Sequence, residues 1–155
     1  MAEKQVYYED VEIGDEIPSL IKAPLSLTTI VKFAGASGDF APLHHDVDFA
    51  KSIGLPHAIA HGPMKLEYMS QIMTNFAGDL GRLKRLEVQF RGMDFPGDVV
   101  VGKGTVSNKF IDGEDHCVEC EIYMENQRQK STTGKAVVVL PCREKSGKKE
   151  RATRG

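Results

Sequence analysis

No apolar run in this 155-residue sequence approaches the roughly 20 residues that a membrane-spanning helix needs. The opening residues, Met1 to Asp10, combine neither a basic start nor an apolar stretch, so a secretory signal is not expected. Cysteine is scarce. Three residues, an odd number without framework spacing, suit a reducing cytosol better than a disulfide scaffold, and a cytoplasmic location is the expectation. There is no internal repeat and no low-complexity linker. A glycine-rich nucleotide fingerprint is also missing, so no tightly held cofactor is expected. The body lacks clustered cations too. Arg143 to Gly155 holds six Lys/Arg and two Glu, a net of +4; the whole chain is −2, so Met1 to Cys142 carries −6. An acidic body argues against a nucleic-acid surface, and the basic end reads as a disordered solubilising tail over 143–155.

What is present is ordinary globular composition, 41% hydrophobic and 27% charged, in a length that makes one domain over 1–142. Ser26 to Ala34 reads as an extended piece entering a helix, with Thr28 or Thr29 as N-cap. Val47 to Ile53 is a second short helix, stopped by Gly54-Leu55-Pro56. A longer helix starts at Pro63, a residue suited to a first turn because its missing N–H would have no intrahelical partner. Leu66, Met69, Ile72, Met73 and Phe76 follow at helical spacing, and Gly78 closes it. Tyr68 and Ala77 widen the apolar stripe, so this helix should be enclosed. Strands follow. Leu86, Val88 and Phe90 alternate with charged or amide neighbours, and Val99–Phe110, His116–Glu125 and Lys130–Leu140 are long extended stretches separated by turn residues. Helices followed by antiparallel strands predict an α+β domain, one sheet wrapped round one central helix.

Two segments carry chemistry. Gly38-Asp39-Phe40-Ala41-Pro42-Leu43-His44 places a carboxylate and an imidazole on one loop. Pro42 prevents a continuous helix between them, so the two side chains can converge from its ends. An imidazole works as acid or base near neutral pH. In Ala60-His61-Gly62-Pro63, proline removes one donor, leaving the N–H groups of Gly62 and Met64 at a helix N-terminus. Glycine at 62 lets a carbonyl approach without a Cβ in the way. Each feature alone has a plain structural reading: a turn carboxylate, a packed histidine, a helix cap. Together they describe an acid/base pair beside an oxyanion site.

These segments, with Phe90 to Val99 after the long helix, resemble the MaoC-like hot-dog family, the (R)-specific enoyl-CoA hydratases and (R)-3-hydroxyacyl dehydratases. The resemblance runs from about Val6 to Pro141 and implies a hot-dog fold, a curved antiparallel sheet around a long helix, usually paired into a dimer. It implies that Asp39 and His44 activate one water, and leaves open which takes the proton and which returns it. It assigns the thioester oxygen to the Gly62 N–H. Ser70 matches a position where some relatives carry a polar group near the site, and equally suits a small residue for close packing. One departure stands out: the family commonly has Asn before the proline, where this chain has Ala41. The substrate implied is an acyl thioester on coenzyme A or acyl carrier protein, whose pantetheine arm belongs to the substrate. The partner implied is a second copy or another hot-dog subunit.

His44, His45, Asp46, His57 and His61 cluster in sequence, and His57-x-x-x-His61 has a helical metal-pair spacing. Pro56 and Gly62-Pro63 argue against a helix there, so no metal is expected. Cys117 and Cys120, three apart on a strand, point to opposite faces and read as structural. Arg82, Lys84, Arg85, Arg91, Lys103 and Lys109 are cations near the expected site that could meet phosphates, although solvated strand faces carry such charges routinely. The leading expectation is a reversible hydratase/dehydratase acting on trans-2-enoyl and (R)-3-hydroxyacyl thioesters. The alternatives are a hot-dog acyl-CoA thioesterase, and a non-catalytic acyl-thioester-binding subunit of a hetero-oligomeric dehydratase, suggested by Ala41.

Overall fold

The structure is a computed structural model, and it describes residues 5–143. Its regular elements are β1 (Glu16–Ile21), α1 (Leu27–Ser37), α2 (Val47–Ser52), α3 (Gly62–Ala77), β2 (Arg82–Phe90), β3 (Val101–Asp112), β4 (Asp115–Glu125) and β5 (Lys130–Val139). The five strands form one antiparallel sheet in the order β1-β3-β4-β5-β2. Helix α3 touches all five, and the sheet wraps round it. This is the hot-dog architecture that the sequence predicts. Among the described residues no helix is long and apolar enough to cross a membrane. Of the tail expected over 143–155, only Arg143 is described, paired with Asp10; the rest lies outside the described residues.

The core forms between α3 and the inner face of the sheet. Met69, Ile72, Met73 and Phe76 from the helix meet Val106, Val118, Ile122, Met124 and Val138 from the strands. Burying each such side chain contributes roughly 1.5–3 kcal/mol. The helix reaches the sheet closely because β3 carries Gly102 opposite Ile72; a Cβ at 102 would collide with that side chain. The outer helix face, with Glu67, Thr74 and Asn75, stays exposed. Cys120 joins this core, whereas Cys117 packs with Val137, Val139 and Phe110 in a separate cluster, as opposite faces of one strand require.

Four local expectations need correction. Strand β1 was not foreseen. It is an edge strand whose pairing with β3 shifts register between Ile17 and Leu20, around Pro18, and edges and bulges are where a strand tolerates proline. The N-cap of α1 is Ser26, whose hydroxyl accepts from the Thr29 N–H at 3.0 Å, rather than Thr28 or Thr29. Leu66 is exposed, and the neighbouring Lys65 is buried in its place. Lys65 tolerates this because its Nζ donates to the Gly92 carbonyl at 2.6 Å and lies 3.5 Å from the buried Asp94 carboxylate. Phe90 likewise leaves the core and ends half-exposed, against the start of α3.

Candidate active site

Helix α1 ends because Gly38 turns left-handed, φ 75°, which releases Asp39 into a loop. The Asp39 carboxylate accepts from the Ala41 N–H at 3.3 Å, and Pro42–His44 then makes one 3₁₀ turn. That turn carries His44 round to face Asp39, with His44 Nε2 and Asp39 Oδ2 3.9 Å apart. The structure thus brings Asp39 and His44 to one place. His44 is 10% exposed and Asp39 43%, so the pair opens to solvent on the carboxylate side.

A distance of 3.9 Å is too long for a direct hydrogen bond and wide enough for one molecule between the groups. A water about 2.8 Å from each would see them at roughly a right angle. The tautomer of His44 is set from behind. Its Nδ1 lies 2.8 Å from the Ile59 carbonyl, which can only accept, so Nδ1 carries the proton. Nε2 is then the ring atom free to exchange a proton with whatever occupies the gap. The Ile59 N–H in turn donates to Leu43 O at 3.1 Å, so the two loops grip each other at this point.

Gly62 opens α3 and Pro63 follows it. No side chain caps the helix, and among the described residues the Gly62 N–H donates to no carbonyl. The Phe90 ring lies beneath: a Cβ at 62 would come within 3.1 Å of Phe90 Cε2. Ser70 lies two turns along α3, half-buried, its hydroxyl donating to Leu66 O at 3.0 Å.

His61, which sequence reasoning treated only as a packing residue or metal partner, joins the group. It is fully buried, its Nε2 donates to the main-chain carbonyl of Asp39 at 3.0 Å, and its ring stacks on His44 with centroids 3.7 Å apart. Burial pushes its pKa down from the ordinary 6.5, the Asp39 carbonyl opposes this, and the nearby His44 adds to the depression. His45 donates to Phe40 O at 3.0 Å, and Asp46 caps α2 by accepting from Asp48 N and Phe49 N. Neither shares the gap. The only sequence clue to His61 was its place beside Gly62; its contact with Asp39 spans 22 residues and has no local signature.

Asp39, His44 and His61 bring potential ligand atoms within 4.8 Å of one another. The rings are nonetheless ill-suited to chelation. Rings with centroids 3.7 Å apart and planes tilted by only 21° have planes that meet roughly 10 Å away, whereas a metal–nitrogen bond is about 2.1 Å. Stacked lone pairs run side by side rather than to a common point.

The surface cations are mostly engaged. Arg82 and Lys84 pair with Asp115, whose carboxyl they hold down at about 2, and Lys84 also pairs with Asp112. Arg85 pairs with Glu119 and Glu87, Lys103 with Glu125, and Lys109 donates to Tyr8 O and Val11 O. Arg91 meets only Gln89 and has no carboxylate partner among the described residues. A groove of about 630 Å³ lies over β2, β4 and β5, lined by Glu87, Glu121, Tyr123, Lys130 and Lys135. Asp39, His44, His61 and Gly62 do not line it.

A family model described as MaoC like domain matches residues 10–127. The chain is 28% identical over 144 residues to the (R)-specific enoyl-CoA hydratase of Rhodospirillum rubrum, covering 88% of this chain and 93% of that protein. It is 34% identical over 67 residues to the peroxisomal enoyl-CoA hydratase 2 of Arabidopsis thaliana, 42% of this chain and 22% of that protein. Among solved structures, the (R)-hydratase from A. caviae involved in PHA biosynthesis superposes with a TM-score of 0.76 at 25% identity, over 86% of this chain and 99% of that one. The ChsH1–ChsH2 complex from Mycobacterium tuberculosis does so with a TM-score of 0.74 at 22% identity, over 83% and 98%, a likeness of fold.

Proposed function

This chain belongs to the MaoC like domain family, and from that membership we propose reversible hydration of trans-2-enoyl thioesters to (R)-3-hydroxyacyl thioesters. The observation that carries the reading is the 3.9 Å gap between His44 Nε2 and Asp39 Oδ2, beside a helix start whose first N–H is unengaged. The thioester is carried on coenzyme A or acyl carrier protein, and the enzyme needs no cofactor of its own.

In the forward direction water sits in the gap and the thioester oxygen accepts from the Gly62 N–H. That donor, with the helix dipole behind it, stabilises the negative charge that moves onto the oxygen as the β-carbon is attacked. The C–O bond forms at the β-carbon while one proton of the water passes to the Asp39/His44 pair. The pair returns one proton to the α-carbon as the enolate collapses, so it ends as it began. His44 exchanges its proton through Nε2, because Nδ1–H is held on Ile59 O. Ser70 faces the acyl part of the substrate, further along the same helix as Gly62. The protein works as a dimer or with another hot-dog subunit, and Ala41 marks a departure in the loop that such a partner could compensate.

The test is to incubate the protein with crotonyl-CoA and longer enoyl-CoAs, following the conjugated absorbance and free thiol together. Loss of absorbance without thiol is the expected result. Release of thiol would instead indicate a thioesterase. Binding with neither change would indicate a non-catalytic subunit.

A further inference from the structure

His61 is in contact with both members of the dyad. Its Nε2–H holds the Asp39 carbonyl at 3.0 Å, and its ring lies on His44 with planes 21° apart. Phe33 closes in on the ring, with centroids 5.0 Å apart. Its other nitrogen, Nδ1, is buried without a hydrogen-bond partner. An unpartnered buried polar atom is destabilising, and an apolar ring at this position would avoid that cost. Helix capping does not account for the residue either, since its side chain makes no cap bond to α3. Packing alone therefore gives no reason for a histidine here.

Resting on the hydratase reading, we propose that His61 is a positioning residue that sets the Asp39–His44 gap, fixing Asp39 through its N–H and His44 through its face. Because it immediately precedes Gly62, the same residue ties the dyad to the oxyanion donor. The charged or titratable groups facing it are His44, His45 and the Asp39 carboxylate. Burial favours the neutral ring, and a second positive charge stacked on His44 would be repelled. The proton taken from water therefore stays on the dyad.

Two variants separate the two contacts. His61→Phe keeps a ring against His44 and loses the donor; His61→Gln keeps a donor and loses the stack. Each is expected to lower kcat roughly 10–100-fold, the effect of a small misplacement of reacting groups. KM should stay within about twofold, because ground-state binding is untouched. The solvent deuterium isotope effect on kcat should rise as proton transfer becomes slower. A merely destabilised protein would lose kcat in proportion to its folded fraction, read by circular dichroism, with the isotope effect unchanged. That outcome overturns the inference, as does wild-type kcat in both variants. Absence of turnover in the wild-type protein would count against the hydratase reading alone. Positioning is then read from the His44 ring signals in ¹H–¹⁵N spectra: one sharp set in the wild type, exchange-broadened or doubled signals in both variants, with the Nδ1–H tautomer held on Ile59 O throughout. Unchanged His44 signals would overturn it.

Discussion

Lengthening Asp39 by one methylene is a demanding test of the site. Asp39→Glu extends the arm by about 1.5 Å while keeping its charge and chemistry. Against a gap of 3.9 Å, that brings the carboxylate within direct reach of His44 Nε2 and leaves no room for a bridging water. The side chain is 43% exposed, so the change in stability should stay within about 0.5 kcal/mol. With the acceptor kept but the space for water lost, kcat should fall by about 10²–10⁴-fold. At 1.36 kcal/mol per tenfold, that is about 2.7–5.4 kcal/mol of barrier. Asp39→Asn keeps the length and the gap but cannot take a proton, and should lose as much. Both are read from the initial rate of absorbance loss with crotonyl-CoA, with thermal unfolding measured alongside. A Glu variant retaining more than about a tenth of the wild-type rate would refute the argument from spacing. An Asn variant doing so would remove Asp39 from proton transfer.

Three further outcomes are expected. Gly62→Ala should fold, because the half-exposed Phe90 ring can yield the few tenths of an ångström its 3.1 Å contact demands. Crowding of the adjacent N–H should nevertheless lower kcat, toward the roughly 10²–10³-fold loss seen when an oxyanion donor is removed. Lys65→Ala should destabilise the protein by about 3–5 kcal/mol in urea unfolding, since it strands the buried Asp94 charge. The Lys65→Met, Asp94→Asn double variant should recover much of that loss. His61 has its folded pKa below the ordinary 6.5, so the unfolded chain binds its proton first. The stability it contributes is complete above pH 6.5 and falls as pH drops below it toward the folded value. Chemical unfolding between pH 7.5 and pH 5 should show this slope in the wild type and a smaller one in His61→Phe.

The long helix was legible because its signals agree: Pro63 at the start, Gly78 at the end and an apolar stripe between. The hairpins of β3, β4 and β5 were legible from alternation and turn residues. Strand β1 was not, because its exposed edge and Pro18 erase the alternation. Periodicity also put Leu66 inside and gave no hint of Lys65, whose burial depends on the Gly92 carbonyl and Asp94 from beyond β2. The approach of Asp39 and His44 could be read because they are five residues apart across a proline. The contacts of the neighbouring histidines could not. Which carbonyl a ring nitrogen reaches depends on how two loops meet, as His61 on Asp39 and His45 on Phe40 illustrate.

Gly102 offers a mechanical handle on the whole molecule. With no side chain there, Ile72 beds down at mid-helix and acts as the fulcrum on which α3 rests. A single methyl at 102 would lift that fulcrum, and a stiff rod raised at its middle carries both ends with it. The shift would reach Gly62, and His61 just before it, from some ten residues away without changing any side chain near them. Substitutions at 102 thus offer a graded way to move the helix start against the loop that carries Asp39 and His44.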